Sequence, residues 1–192
     1  MPIKAHHHTI VALVENKPGV LNRIASKWRQ RGFNIESLAV GHSEVPGLSR
    51  MTFVVDGATT DVEQVTKQLY KVIEVVKIAD ISDEELVARE LALIKVAASP
   101  TSRSAIIEIT DIFRADIVGV SPDTLIVQVT GREDKIDAIV EMLKAYGIRE
   151  LVRTGRVAVT RGGASAPVEG GDGEPRRYRS AGEGKSKVGS LL

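Results

Sequence analysis

Cysteine is absent from the 192 residues of the chain. Its absence excludes disulfides, thiolate metal sites and a cysteine nucleophile, and it fits the reducing interior of a cell. Aromatic residues make up only 4% of the sequence, which argues against the base-stacking platforms of single-strand nucleic-acid binders. The 26 basic and 25 acidic residues nearly cancel. The chain as a whole therefore has no basic surplus that would attract nucleic acid.

Long hydrophobic runs are also missing. No stretch reaches the 18 or so consecutive apolar residues that indicate a membrane-spanning helix, and the start of the sequence does not have the pattern of a secretory signal peptide. Common catalytic loops are missing as well: there is no Gly-x-Ser-x-Gly, Walker or Gly-x-Gly-x-x-Gly sequence. We predict a cytoplasmic protein that acts on neither membranes nor nucleic acids and has no catalytic site of its own.

Hydrophobic periodicity divides the sequence into two similar halves, each with the order βαββαβ. This order predicts an α+β fold of two consecutive ferredoxin-like domains, over residues 1–81 and 90–161, with an acidic linker at 82–89. The predicted strands are 9–14, 34–42, 49–56, 72–81, 90–98, 115–120, 124–130 and 149–160, and the predicted helices are 18–31, 61–71, 101–113 and 132–146.

Residues 162–192 have a different composition. Eight of the 17 glycines of the chain fall there, with mixed charges and almost no apolar periodicity. We predict a disordered tail outside the fold.

Each half is small, about 70–80 residues, and would be marginally stable alone. Helices on one sheet face would leave the other face and the edge strands uncovered. A two-fold dimer is the commonest way to cover such surfaces, and we expect one here.

The stretch from Leu13 to Leu21 is the first candidate site, because a strand ends there and Pro18-Gly19 opens a helix. The first N–H groups of that helix lack helical acceptors and lie at the positive end of its dipole, an arrangement that suits a carboxylate or phosphate. Two interpretations stay open. The turn could bind an amino acid, with the Asn16 carbonyl accepting from its ammonium, or Asn16 could be an ordinary N-cap worth about 1 kcal/mol. Asn34 is likewise either a turn residue or a ligand contact.

Two further clusters favour structural interpretations. Successive residues of a strand point to opposite faces, so the run from His6 to His8 cannot direct all its side chains to one metal ion. The basic residues Lys27, Arg29 and Arg31, with Arg23 a turn earlier, fit a solvated helix face better than an RNA site, which would need several exposed aromatic residues on the sheet.

Three segments together resemble the regulatory small subunits of acetohydroxyacid synthase, also called acetolactate synthase. They are Asn-Lys-Pro-Gly-Val-Leu-Asn-Arg at 16–23, Arg-Gly-Phe-Asn-Ile-Glu-Ser-Leu at 31–38 and Leu-Ser-Arg-Met-Thr at 48–52. The resemblance covers about residues 8–161 and makes the first half similar to an ACT domain.

This resemblance implies a non-catalytic subunit without a cofactor. Such a subunit activates a catalytic large subunit that carries thiamine diphosphate, Mg²⁺ and FAD, and confers feedback inhibition by a branched-chain amino acid, usually valine. It also implies a homodimer through the ACT domain, with the effector at the interface. The implied effector contacts are Asn16, Lys17, Pro18, Gly19, Val20 and Leu21 of one copy and Asn34 and Ile35 of the other.

Residue types alone do not separate valine from leucine or isoleucine, because one methylene in such a pocket is worth only about 1–3 kcal/mol. Two other classes of function stay open beside the regulatory subunit. One is a stand-alone amino-acid sensor that acts on another partner, such as a transcription regulator. The other is an enzyme that turns over pyruvate without a partner.

Overall fold

The computed structural model describes residues 7–30, 32–57 and 61–162, and both halves have the predicted α+β fold. In the first half, the four strands form an antiparallel sheet in the order β2-β3-β1-β4. Its elements are β1 (His7–Glu15), α1 (Val20–Gln30), β2 (Ser37–His42), β3 (Leu48–Asp56), α2 (Val62–Tyr70) and β4 (Val75–Asp80).

The second half repeats this topology, with its sheet in the order β6-β7-β5-β8 and an additional strand, β9, that pairs with β5. The prediction of two consecutive ferredoxin-like domains is confirmed. The elements of the second half are β5 (Leu86–Ala97), α3 (Arg103–Ile112), β6 (Asp116–Val120), β7 (Thr124–Gly131), α4 (Glu133–Lys144), β8 (Ile148–Arg153) and β9 (Val157–Thr160).

Each half has its own core between its helices and one face of its sheet. In the first half, Trp28 of α1 stacks on Phe53 of β3, with ring centroids 5.0 Å apart. Phe53 is completely buried, so it is not available to stack on a base. The buried residues of the second core are all aliphatic: Ala92, Ile94, Val96, Ala98, Ile106, Ile109, Leu125, Val127, Val129, Ile136, Ile139 and Leu143.

The predicted linker and the predicted last strand both need correction. β5 begins at Leu86, so the last four residues of the predicted linker 82–89 belong to a strand. The stretch 149–160 is two strands, because β8 ends at Arg153 and β9 starts at Val157. The physical reason is that the two strands pair with different parts of β5: β8 pairs with its later part, residues 92–96, whereas β9 pairs with its first part, residues 86–89.

Residues 86–89 and 157–160 form a two-stranded ribbon that lies on the first half. Ala158 of this ribbon packs with Val11, Ala79 and Ile81 in a small buried cluster. Val11 and Ala79 lie on the sheet face that the helices leave open, since their neighbours Ala12 and Ile78 belong to the core on the helix side. The same chain therefore covers part of a surface that the sequence analysis assigned to a second copy.

The predicted disordered tail, 162–192, lies outside the described residues from position 163 onward. Within the part of the chain that the structure describes, no helix is long and apolar enough to cross a membrane.

Candidate functional site

The turn between β1 and α1 is built on the backbone of Gly19. Gly19 has a φ of +85°, a conformation that glycine adopts without the strain of a Cβ atom. Its carbonyl accepts the first helical hydrogen bond, from the N–H of Arg23 at 3.0 Å. A Cβ added to Gly19 would meet no atom within 4 Å, so space around this residue is open on the solvent side.

The N–H groups at this helix start are available to a ligand. The amide of Val20 reaches the carbonyl of Lys17 only at 3.5 Å. Those of Gly19 and Leu21 have no acceptor among residues 7–30, 32–57 and 61–162. The Asn16 side chain makes no hydrogen bond to these residues either, so the N-cap interpretation of Asn16 is not supported. An uncapped helix start of this kind favours an anionic group.

Two neighbouring loops hold the turn in place. The N–H of Asn16 donates to the carbonyl of Gly47, in the loop between β2 and β3, at 2.8 Å, and that of Glu15 donates to the carbonyl of Glu74 at 2.9 Å. Arg23 forms an ion pair with Glu74, whose side chain is only 10% exposed. The turn is thus fixed to the end of the sheet where β1 finishes.

The predicted contact residues differ in how far they reach the surface. Val20 is 3% exposed and belongs to the core of the first half, whereas Leu21 is 43% exposed and provides an apolar side chain at the surface. Ile35 is half-buried. The other members of the predicted set are exposed: Asn16, Lys17, Pro18, Gly19 and Asn34.

A single chain does not bring the two parts of the predicted site together. The turn follows Glu15, which is paired with Leu48, at the same sheet end as His42, the last residue of β2. Asn34 and Ile35 precede Ser37, the first residue of β2, at the opposite end of that strand. The eleven residues of α1 alone rise about 16 Å between the two parts. In one chain the predicted contact residues therefore form two separate groups, at opposite ends of β2.

Of the histidine run, His6 lies outside the described residues, and His7 and His8 both have carboxylate partners. His7 contacts Glu36 at 2.9 Å and His8 contacts Asp80 at 2.8 Å, so the two rings bind carboxylates on different segments. Across the described ranges, no cluster of His, Asp and Glu side chains is arranged to hold a metal ion. Lys27 and Arg29 are exposed on α1, and Arg31 lies outside the described residues.

Contacts between the halves were not predicted from the sequence, and one of them is made by Gly155 and Arg156 in the connection from β8 to β9. Gly155 lies against the backbone of Leu38 and Ala39 in β2. The signal available in the sequence was the glycine itself, since an isolated glycine inside a strand pattern often indicates a close approach of two backbones.

Comparisons with known proteins agree with this architecture in both halves. Residues 10–77 match the family model described as the AHAS small subunit-like ACT domain, so the first half is an ACT domain. Residues 89–162 match the model described as the small subunit of acetolactate synthase.

Individual relatives are similar to this chain over nearly their whole lengths. The acetolactate synthase small subunit of Mycobacterium bovis is 52% identical over 155 residues, covering 81% of this chain and 92% of that protein. The small subunit of Bacillus subtilis is 52% identical over 154 residues, covering 80% of this chain and 90% of that protein. The crystal structure of the Thermotoga maritima small subunit superposes with a TM-score of 0.76 at 41% identity, covering 82% of this chain and 99% of that one.

The chain belongs to the acetolactate synthase small-subunit family. It is a regulatory subunit with an ACT domain, and membership of this family implies a catalytic large subunit as its partner.

Proposed function

We propose that this chain activates the catalytic large subunit of acetolactate synthase and makes it sensitive to feedback inhibition by a branched-chain amino acid, with valine as the first candidate. The proposal assigns thiamine diphosphate, Mg²⁺ and FAD to the large subunit and no cofactor to this chain. It places the complex in the cytoplasm. Family membership supports the partner, and the geometry of the first half supports the effector site.

The observation that carries the effector site is the separation of its two groups of contact residues. Since the turn and the Asn34–Ile35 segment lie at opposite ends of β2, one copy cannot surround a small ligand. β2 is an edge strand, and antiparallel pairing of two β2 strands would place the start of one beside the end of the other. Asn34 and Ile35 of a second copy would then approach the Gly47 loop, which holds the turn. We propose a homodimer of this kind, through the ACT domains.

In this dimer, each part of an amino acid has a matching group. The amides of Gly19 and its helical neighbours would bind the carboxylate, and the carbonyls of Asn16 and of Asn34 from the second copy would accept from the ammonium. Leu21 and Ile35 are the apolar side chains at the surface of the two half-sites. Val20 is buried and would act by fixing the helix start, with Lys17 and Pro18 shaping the turn.

The affinity should suit a metabolite that regulates its own synthesis. We expect a Kd of about 0.01–1 mM for the effector, equivalent to roughly −4 to −7 kcal/mol. Feedback then requires that the effector bind one state of the complex better than another.

The test is an assay of acetolactate formation by purified large subunit, with and without this chain, in the presence of valine, leucine or isoleucine. We expect the chain to raise the activity and one of the three amino acids to lower it again. Unchanged activity together with no stoichiometric association would contradict the proposal and favour a stand-alone sensor. The control is this chain alone with pyruvate, where turnover would favour an enzyme.

A further inference from the structure

The connection between β8 and β9 joins the two halves at β2, and we call residues 154–156 of this connection the seam. On one side, Thr154 fixes the connection to the second half: its N–H donates to the carbonyl of Leu91 at 2.9 Å, and its hydroxyl accepts from the N–H of Leu91 at 3.0 Å. On the other side, the next two residues contact the first half. The seam is therefore attached to both halves by its own backbone.

Gly155 packs backbone against backbone with β2. A Cβ at this position would lie 2.3 Å from the carbonyl oxygen of Leu38 and 2.9 Å from the amide nitrogen of Ala39. Both neighbours are main-chain atoms of a paired strand and cannot move aside as a flexible side chain would. A displacement of β2 toward the connection must therefore also displace Gly155.

Arg156 bonds three elements at once. Its N–H donates to the hydroxyl of Ser37 at 2.9 Å, and its guanidinium donates to the hydroxyl of Thr9 at 3.3 Å and to the carboxylate of Glu133 at 2.5 Å. Glu133 is the first residue of α4, and the Arg156 side chain is only 17% exposed. Charge-assisted bonds from a planar guanidinium are stronger and more directional than neutral ones.

The seam contacts β2 next to the proposed effector site. Ser37 is two residues after Ile35, and Leu38 is the next residue. A ligand that moves the start of β2 would reach α4 through Ser37, Arg156 and Glu133. We propose that Arg156, held in place by Gly155, is the positioning residue through which effector binding in the ACT domain reaches the second half. This inference rests on the proposed function, because it assumes that the effector binds there.

Separate contacts should keep the halves docked when Arg156 is changed. Arg50 donates to the carbonyl of Ala158 at 3.1 Å, and Ala158 stays in the buried cluster with Val11 and Ala79. None of these contacts involves Arg156. The variant Arg156→Gln removes the charge-assisted bond to Glu133 but retains the backbone bond to Ser37, so it tests communication rather than folding.

The experiment uses the reconstituted holoenzyme with Arg156→Gln, and valine as the probe. Its matched control is Arg153→Gln, because Arg153 bridges Glu90 and Asp137 entirely within the second half. For Arg156→Gln we expect activation to be retained and the valine concentration for half-inhibition to rise about fivefold or more, the low end of typical allosteric coupling. The Kd of valine for the small subunit, measured by calorimetry, should change by less than about twofold, because the contact lies outside the half-sites. Arg153→Gln should resemble wild type in all three measurements.

Two further variants examine the same route. Gly155→Ala should raise the half-inhibition concentration in the same direction, because the added methyl group displaces β2. Exchanging the charges, with Arg156→Glu and Glu133→Arg together, should restore inhibition that either single change weakens. Such a rescue is not expected of two independent structural defects.

Three outcomes separate the inference from the function on which it rests. Wild-type inhibition in both Arg156→Gln and Gly155→Ala would overturn the seam inference and leave the proposed function intact. Loss of valine binding in step with loss of inhibition would also overturn it, since Arg156 would then act only on the structure of the site. A wild-type subunit that neither binds nor responds to valine, leucine or isoleucine would overturn the proposed function and the inference together.

Discussion

The two halves share one topology but differ in the turn that follows their first strand. Both sheets have the same strand order, and both have a register shift at the same place, between Leu13 and Val14 in one and between Lys95 and Val96 in the other. In the first half, the turn has open space at Gly19, and no side chain among the described residues bonds the first N–H groups of its helix. The topology is therefore common to both halves, and turn chemistry distinguishes the proposed effector site.

In the second half, the equivalent turn is closed by its own side chains. The hydroxyl of Ser99 bonds those of Thr101 and Ser102 at 2.9 and 3.0 Å and accepts from the N–H of Ser102 at 3.2 Å. Arg103 extends from α3 to the carbonyls of Ser121 and Pro122, at 2.7 and 2.9 Å. Polar groups that are open to a ligand in the first turn are used internally in the second.

The largest expected effect concerns the cores. Phe53→Ala removes the ring that stacks on Trp28 and should lower the free energy of unfolding by about 3–5 kcal/mol. A much smaller truncation in the aliphatic core, Ile136→Val, removes one methylene and should cost only about 0.5–1.5 kcal/mol. Urea unfolding of the full chain measures both. A cost below about 1 kcal/mol for Phe53→Ala would show that the aromatic pair does not hold the first core together.

A smaller effect, on binding rather than stability, is expected at Asn16. Asn16→Ala removes a carbonyl that we assign to the effector ammonium, and hydrogen bonds to charged groups contribute about 1.5–3 kcal/mol. Calorimetry should therefore show valine affinity reduced roughly tenfold or more, with little change in the urea midpoint. Unchanged affinity, or a loss of stability typical of a removed N-cap, would contradict the difference between the two turns.

The smallest effect is expected at the equivalent turn of the second half. Ser99→Ala removes hydroxyl bonds within that turn and should destabilise the chain by about 0.5–1.5 kcal/mol. It should leave the valine titration of the holoenzyme unchanged. If Ser99→Ala altered the response to valine as strongly as Asn16→Ala, the second turn would also contribute to effector binding, and the comparison would fail.

Local patterns in the sequence were sufficient for most of the fold and for the location of the first turn. Alternating residues such as Met51 and Phe53, and the stop signals around the helices, predict elements whose partners are nearby in the chain. The ribbon was not predictable in this way, because Leu86 and Ala88 pair with residues some seventy positions later. The exposure of individual side chains at the turn also depends on tertiary packing. Val20 is one of the predicted effector contacts, but its side chain is buried.

The most direct test of the central claim is a pair of substitutions at Gly19, compared by titrating valine against the reconstituted holoenzyme. Asp and Asn have nearly the same size, both tolerate positive φ better than most residues, and a Cβ at this position meets no atom within 4 Å. Only Gly19→Asp places a negative charge where the effector carboxylate would bind. We predict that Gly19→Asp abolishes the valine response while activation remains, and that Gly19→Asn retains at least part of the response. An unchanged inhibition curve for Gly19→Asp would contradict the assignment of the effector site to this turn.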